Sequence, residues 1–191
     1  MRRRHFVGAV VAAVLVPAAA ALSDWAPISR SDLVRATPEV LRVRVDGIDT
    51  EMRSLPAVRH AVPCRRVRAT VLETYRGDRE AGEPLVFFVP GGVAPGGTEV
   101  TFSTSPAIEE FASREALVFL AAGGPLAPEG ELGLPDGAHG IYAVDATRSG
   151  ARVVRARTGS PFPRDLPLAE FAAEARAIAA SEAAGAERKP R

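Results

Sequence analysis

Cysteine is almost missing from this chain: Cys64 stands alone among 191 residues. No intramolecular disulfide can form, and no cysteine-based zinc site can be assembled. Within a strand-like run, Cys64 is expected to act as a small buried hydrophobe, with pairing between molecules as the other use of a free thiol. Lysine is as scarce, since Lys189 is the only one, and almost all positive charge is arginine. With abundant alanine, glycine and proline, this reads as the codon bias of a GC-rich genome and not as function. Charge of one sign is lacking too. The formal net charge is +1, and removing Arg2, Arg3 and Arg4 would leave −2. Such a balance argues against a nucleic-acid partner, which would want a basic face.

One long apolar run is present, at the start. Arg2, Arg3 and Arg4 precede an uncharged stretch from Phe6 to Leu22, small residues fill Ala18 to Ala21, and the first acid is Asp24. These are the three parts of a secretory signal, expected over residues 1–23. Pro17 interrupts the run, which is shorter than a spanning helix needs. No stable membrane span is expected after cleavage; an uncleaved N-terminal anchor is the alternative. Arg3-Arg4-His5-Phe6-Val7 resembles the twin-arginine pattern, so both the Sec and the twin-arginine route stay open. The protein is expected to be exported, to the periplasm or outside the cell. No cysteine lies beside the cleavage zone, which argues against a bacterial lipoprotein anchor.

Residues 24–191 suit one domain of ordinary size, long enough to bury a core without disulfides. Ser29 or Ser31 can cap a short helical turn through Leu33 and Val34 that Thr37-Pro38 ends. Leu41, Val43 and Val45 alternate with Arg42, Arg44 and Asp46, the period of a half-buried strand. Residues 47–61 are polar and irregular and read as a long loop. A second strand runs from Cys64 to Tyr75, with Val67, Ala69, Val71 and Tyr75 on one face and Arg66, Arg68, Thr70 and Thr74 on the other. Residues 85–89 and 116–120 are continuous apolar runs, expected to be buried on both faces. Residues 98–103 alternate as a further strand, 123–138 form a glycine- and proline-rich loop, and a hairpin over 141–157 turns near Ser149-Gly150. From Leu166 the period changes: Leu168, Phe171, Ala175, Ile178 and Ala179 fall on one helical stripe. The expected fold is all-β, a small OB-like barrel over residues 24–160. A C-terminal amphipathic helix over 161–184 packs on it, and 185–191 form a disordered tail.

The order of pieces resembles a widespread group of exported bacterial proteins of unknown function. The residues that carry it are Val67 to Asp78, the run Leu85 to Val89, and Pro90-Gly91-Gly92 with Gly96. Ser105-Pro106, Glu115 to Leu120 and Gly140-Ile141-Tyr142-Ala143-Val144 complete the pattern, which spans about Leu33 to Val154. The resemblance implies a small OB-like barrel similar to the netrin-like domain of the tissue inhibitors of metalloproteases. Arg114 stands where a glycine is usual, and the cysteines of the inhibitors' reactive edge are absent. Inhibitory activity therefore does not carry over, and the shared motifs are structural, glycines for turns and apolar runs for the barrel wall.

Candidates for chemistry thin out on inspection. His60 and His139 each sit in a loop without a second histidine at metal-ligand spacing. His139 follows Asp136 by three residues, a partial metal or acid–base pair that reads better as solvated loop. Ser103-Thr104-Ser105 offers hydroxyls but no nucleophile elbow. Glu109 and Glu110 are adjacent, so they point apart. Residues 91–97 lack the lysine and following helix of a phosphate loop and read as a hairpin turn. Arg42, Arg44, Arg66 and Arg68 would share a basic face, though acids are interspersed. No catalytic, cofactor-binding or metal-binding residue can be named, and no cofactor is implied. The expected function is a non-catalytic binding module at the cell envelope, for an unknown protein or envelope ligand. An unrecognised secreted hydrolase or a protease-inhibitor-like module is the alternative.

Overall fold

The alternation that begins at Val40 becomes the first long strand of a computed structural model that describes residues 28–58, 60–102, 105–135, 140–156, 160–162 and 164–187. The expected signal sequence lies outside the described residues. Helix α1 spans Arg30–Ala36 and is capped by Ser29, whose hydroxyl accepts from the Asp32 amide at 3.1 Å. Strands β1 (Glu39–Arg53) and β2 (Val62–Arg76) form a long antiparallel hairpin, and β3 (Pro84–Pro90) returns along β2. A two-residue hairpin, β4 (Gly92–Val93) and β5 (Glu99–Val100), leads into a 3-10 turn at Ile108–Phe111. Strand β6 (Glu115–Ala122) follows, then β7 (Leu132–Gly133), β8 (Ile141–Ala146), β9 (Arg152–Val154) and β10 (Leu166–Pro167), which runs into helix α2 (Leu168–Glu187). No described helix is long and apolar enough to cross a membrane.

The expected all-β fold with a C-terminal helix is what forms. The sheet order is β1-β2-β3-β7-β6-β8-β9-β10, and β1 also pairs with β6. That second pairing bends β1, β2, β3, β7 and β6 into an OB-like ring. Closure is partial: β3 meets β7 through one parallel pair, Phe88 with Gly133. Gly133 is required at that seam, because a Cβ there would lie 2.6 Å from the Ala127 Cβ. Strand β6 divides its neighbours. Ala116 to Val118 pair with β8, whereas Ala121 and Ala122 pair with β7.

Two principal cores follow from this division. Leu41, Val43, Val45, Val67, Ala69, Val71, Leu85, Phe87, Val89, Val118 and Leu120 fill the barrel, and Ile108 and Phe111 plug it from the 3-10 turn. Outside the barrel wall, Leu117, Phe119, Tyr142, Phe162 and Phe171 join Leu33 and Val34 of α1 in a second core that α2 covers. Residues 116–120 are thus buried on both faces, as a continuous apolar run implies. Residues 85–89 are buried except for Val86, which is half-buried. A smaller cluster holds Cys64, fully buried, with Leu55, Val62 and Phe88.

The structure departs from the sequence reading at five places, one of them the C-terminal helix, which spans Leu168–Glu187 after β10 and not 161–184, so the tail expected from residue 185 begins as helix. Residues 47–53 are not loop. They extend β1 as an arm paired with Val62 to Arg68, held by the ladder and not by burial, so no hydrophobic alternation announces them. Tyr75 does not share the face of Val67, Ala69 and Val71. In the pairing of β1 with β2, Val43 faces Val71 but Arg42 faces Glu73, which leaves Leu72 as an extra residue. That bulge reverses the alternation, so Glu73 and Tyr75 emerge on the outer side. The strand expected over 98–103 shrinks to Glu99–Val100. The loop expected over 123–138 contains β7.

Candidate functional site

Two clefts among the described residues combine apolar floor and charged rim, one at the mouth of the barrel and one on the outer side beneath α2. The first, of about 380 Å³, opens between the 3-10 turn and the β8–β9 hairpin. Pro106, Phe111, Ile141 and Tyr142 give it apolar surface, and Glu110, Arg114, Asp145 and Arg155 line it with charge. Asp145, on the same face of β8 as Ile141 and Ala143, organises the rim. It accepts from Arg114 Nη2 at 2.7 Å and from Arg155 Nε at 2.8 Å. Arg155 also donates to Asp165 at 2.6 Å, and Asp165 accepts from the Ala156 amide at 2.8 Å. The Arg155 and Arg114 hydrogen bonds hold the Asp145 carboxyl below the usual carboxylate range. The Ala156 amide, then Arg155, do the same for Asp165. Arg114 reaches the cleft from a turn whose preceding residue, Ser113, has φ of 57°. Hydrogen bonds from Ser113 N to Val45 O and from Val45 N to Arg114 O fix that turn to β1. The left-handed residue here is Ser113, so an arginine at 114 meets no backbone restriction.

The second cleft, of about 490 Å³, lies between β2, the start of β9 and the first turns of α2. Tyr75, Leu168 and Ala172 are buried beneath it, and Glu73, Arg152 and Arg176 are its charged members. Tyr75 meets Phe171 edge to face with ring centroids 5.5 Å apart. Arg176 pairs with Glu73 and lies 5.4 Å from the Tyr75 ring centroid. Burial, with the Glu73 carboxylate beside it, pushes the Tyr75 hydroxyl well above its ordinary value.

The residues singled out in the sequence do not gather at either cleft, apart from Glu110. His60 is exposed in the β1–β2 turn. His139, Asp136, Ser103 and Thr104 lie outside the described residues. Ser105 donates to Pro90 O at 2.7 Å, a staple across the base of the β4–β5 hairpin. Glu109 and Glu110 do point apart: Glu109 pairs with Arg65, and Glu110 faces the first cleft. Gly91 supports close packing, since its φ is +107° and a Cβ would come within 2.7 Å of Arg65 Nη1. The arginine face is largely neutralised. Arg42 lies near Glu73 and Glu115, Arg44 pairs with Asp46 at 2.9 Å, and Arg68 with Asp49 at 3.2 Å. Burial pushes the Cys64 thiol up to about 11, the opposite of a reactive cysteine. Among the described residues, no group of three or more His, Cys, Asp or Glu could hold a metal ion.

Sequence reasoning missed Arg114, Asp145, Arg152, Arg155 and Arg176 as site residues. They come from five elements or connecting stretches and share no motif. No protein-family model matches the chain, and no curated protein matches it.

Proposed function

We propose that this chain is an exported binding module that acts without catalysis, holding a protein or envelope ligand at its surface clefts. The observation that carries the reading is the state of the titratable groups at the first cleft. Asp145 and Asp165 are tied to arginines and kept ionised, whereas general acid–base catalysis wants groups poised near neutral pH. The same pairs fix the side chains of Arg114 and Arg155 around apolar surface, and preorganised polar groups around an apolar floor suit recognition. Export rests on the sequence of residues 1–23. The reading also draws on the resemblance of residues 33–154 to a group of exported proteins.

The test uses residues 24–191, immobilised and challenged with envelope extract. The reading expects a saturable partner whose retention drops at least 10-fold in the R114A variant, with the melting temperature held. Turnover of any model ester, peptide or glycoside substrate at a rate that R114A leaves intact would overturn it. For export, R3K/R4K full-length chain is followed by cell fractionation. Loss of export assigns the twin-arginine route, and unchanged export assigns Sec.

A further inference from the structure

The second cleft carries a charge surplus that the first does not. Its charges form an open chain: Arg176 with Glu73, Glu73 with Arg42, Arg42 with Glu115, and Glu115 with Arg152 at 2.9 Å. Three guanidinium groups face two carboxylates, so one positive charge is left unanswered. The inner arginine, Arg42, is mostly covered, while the two ends of the chain line the cleft. Arg152 and Arg176 keep 43% and 53% of their side-chain surface exposed. Glu73 is already engaged by Tyr75, Arg42 and Arg176, so it offers little to a cation. The surface between the arginines is apolar, with Tyr75, Leu168 and Ala172 buried beneath and Ala169 and Ala173 beside it.

Resting on the binding-module reading, we propose that this cleft captures the free C-terminus of a peptide or protein partner that ends in an apolar residue. The terminal carboxylate meets Arg152 and Arg176, completing the charge chain, and the last side chain lies over Tyr75, Leu168 and Ala172. An arginine fork matches a carboxylate in plane and charge, which a lysine would do less well. The floor is short, three buried side chains with one ring, and it fits one or two apolar side chains better than a long acyl tail.

The test measures binding of one pentapeptide, acetyl-Gly-Ser-Gly-Leu-Phe, to residues 24–191 by calorimetry, as the free acid and as the C-terminal amide, with decanoate as a third ligand. The free acid is expected to bind at least 10-fold more tightly than the amide and more tightly than decanoate. R152Q and R176Q should each weaken it about 5-fold while near-UV circular dichroism stays that of the parent. Equal binding of acid and amide overturns the proposal, and so does tighter binding of decanoate. No peptide binding, with envelope capture still sensitive to R114A, overturns this assignment and leaves the binding-module reading standing. Loss of both overturns the two together.

Discussion

The inside of the barrel and the outer side of its wall are built on opposite plans. The interior is aliphatic apart from Phe87 and Phe111, and local alternation along each strand supplies it. The outer core is aromatic, with Phe119 at 6.1 Å from both Tyr142 and Phe171 and Tyr142 at 4.4 Å from Phe162 by ring centroids. It is assembled from distant stretches of chain, α1 from one end and α2 from the other, joined by Arg30 and Ser31 on Glu174. Aromatic pairs contribute about 0.5–1.5 kcal/mol each beyond the area they bury. Beside this second core lie the chain of pairs from Arg176 to Arg152 and the second cleft, whereas the first cleft opens at the barrel mouth. The fold therefore keeps an aliphatic core inside and an aromatic one outside, with β6 as the wall common to both.

Breaking the outer core should have the largest effect. Phe119→Ala removes the ring common to three aromatic contacts and is expected to cost about 3–5 kcal/mol in urea unfolding. A loss below about 1 kcal/mol would mean that the outer side is loosely covered and not a core. A sharper comparison uses two fully buried leucines on the same strand. Leu117 faces outward and Leu120 inward, and replacing either with Ala should cost about 2–5 kcal/mol. Equal losses with one unfolding transition would show that the two cores melt together. A second transition in Leu117→Ala alone would separate them.

A smaller effect is expected at the N-terminal edge of the outer core. Ser29→Ala removes the cap of α1 and should cost about 1 kcal/mol, read as a shift of the thermal midpoint. The smallest concerns the rim of the first cleft. Asp145 and Asp165 have lowered folded-state pKa values, so the stability they add is present above the ordinary carboxylate value, about 4. It is lost as pH falls from there through the folded values. Asp145→Asn should therefore lose less stability than the parent between pH 6 and pH 3. Parallel losses would show that the pairing contributes nothing.

Much of the barrel was legible because its cause is local. Period two at Leu41, Val43 and Val45, and apolar runs at 85–89 and 116–120, reflect which faces each strand buries. A serine cap at 29 or 31, which the structure assigns to Ser29, the turn at Ser149-Gly150 and the helical stripe through Phe171 were legible for the same reason. The arm at residues 47–53 was not, since backbone pairing holds it and leaves the side chains polar. Neither cleft was legible. Arg152, Arg176 and Glu73 lie far apart in sequence, and one bulge decides that Glu73 faces outward. Asp145 reads as any solvated strand residue until Arg114 and Arg155 arrive from elsewhere.

The bulge at Leu72 also bears on how such a chain can change its length. A one-residue deletion inside a strand ordinarily turns every later side chain to the wrong face. At Leu72 the reverse holds, because the ladder already passes over it: without that residue, Val71 still faces Val43 and Glu73 still faces Arg42. Descendants of this gene can drop a codon there and keep Glu73 and Tyr75 on the outer side. A loss among Val62 to Arg66, away from any irregularity of the ladder, would instead turn its neighbours to the wrong face. The neighbourhood of Leu72 is thus a place in β2 where loss of a residue is expected to be tolerated, unlike the regular stretches of the ladder.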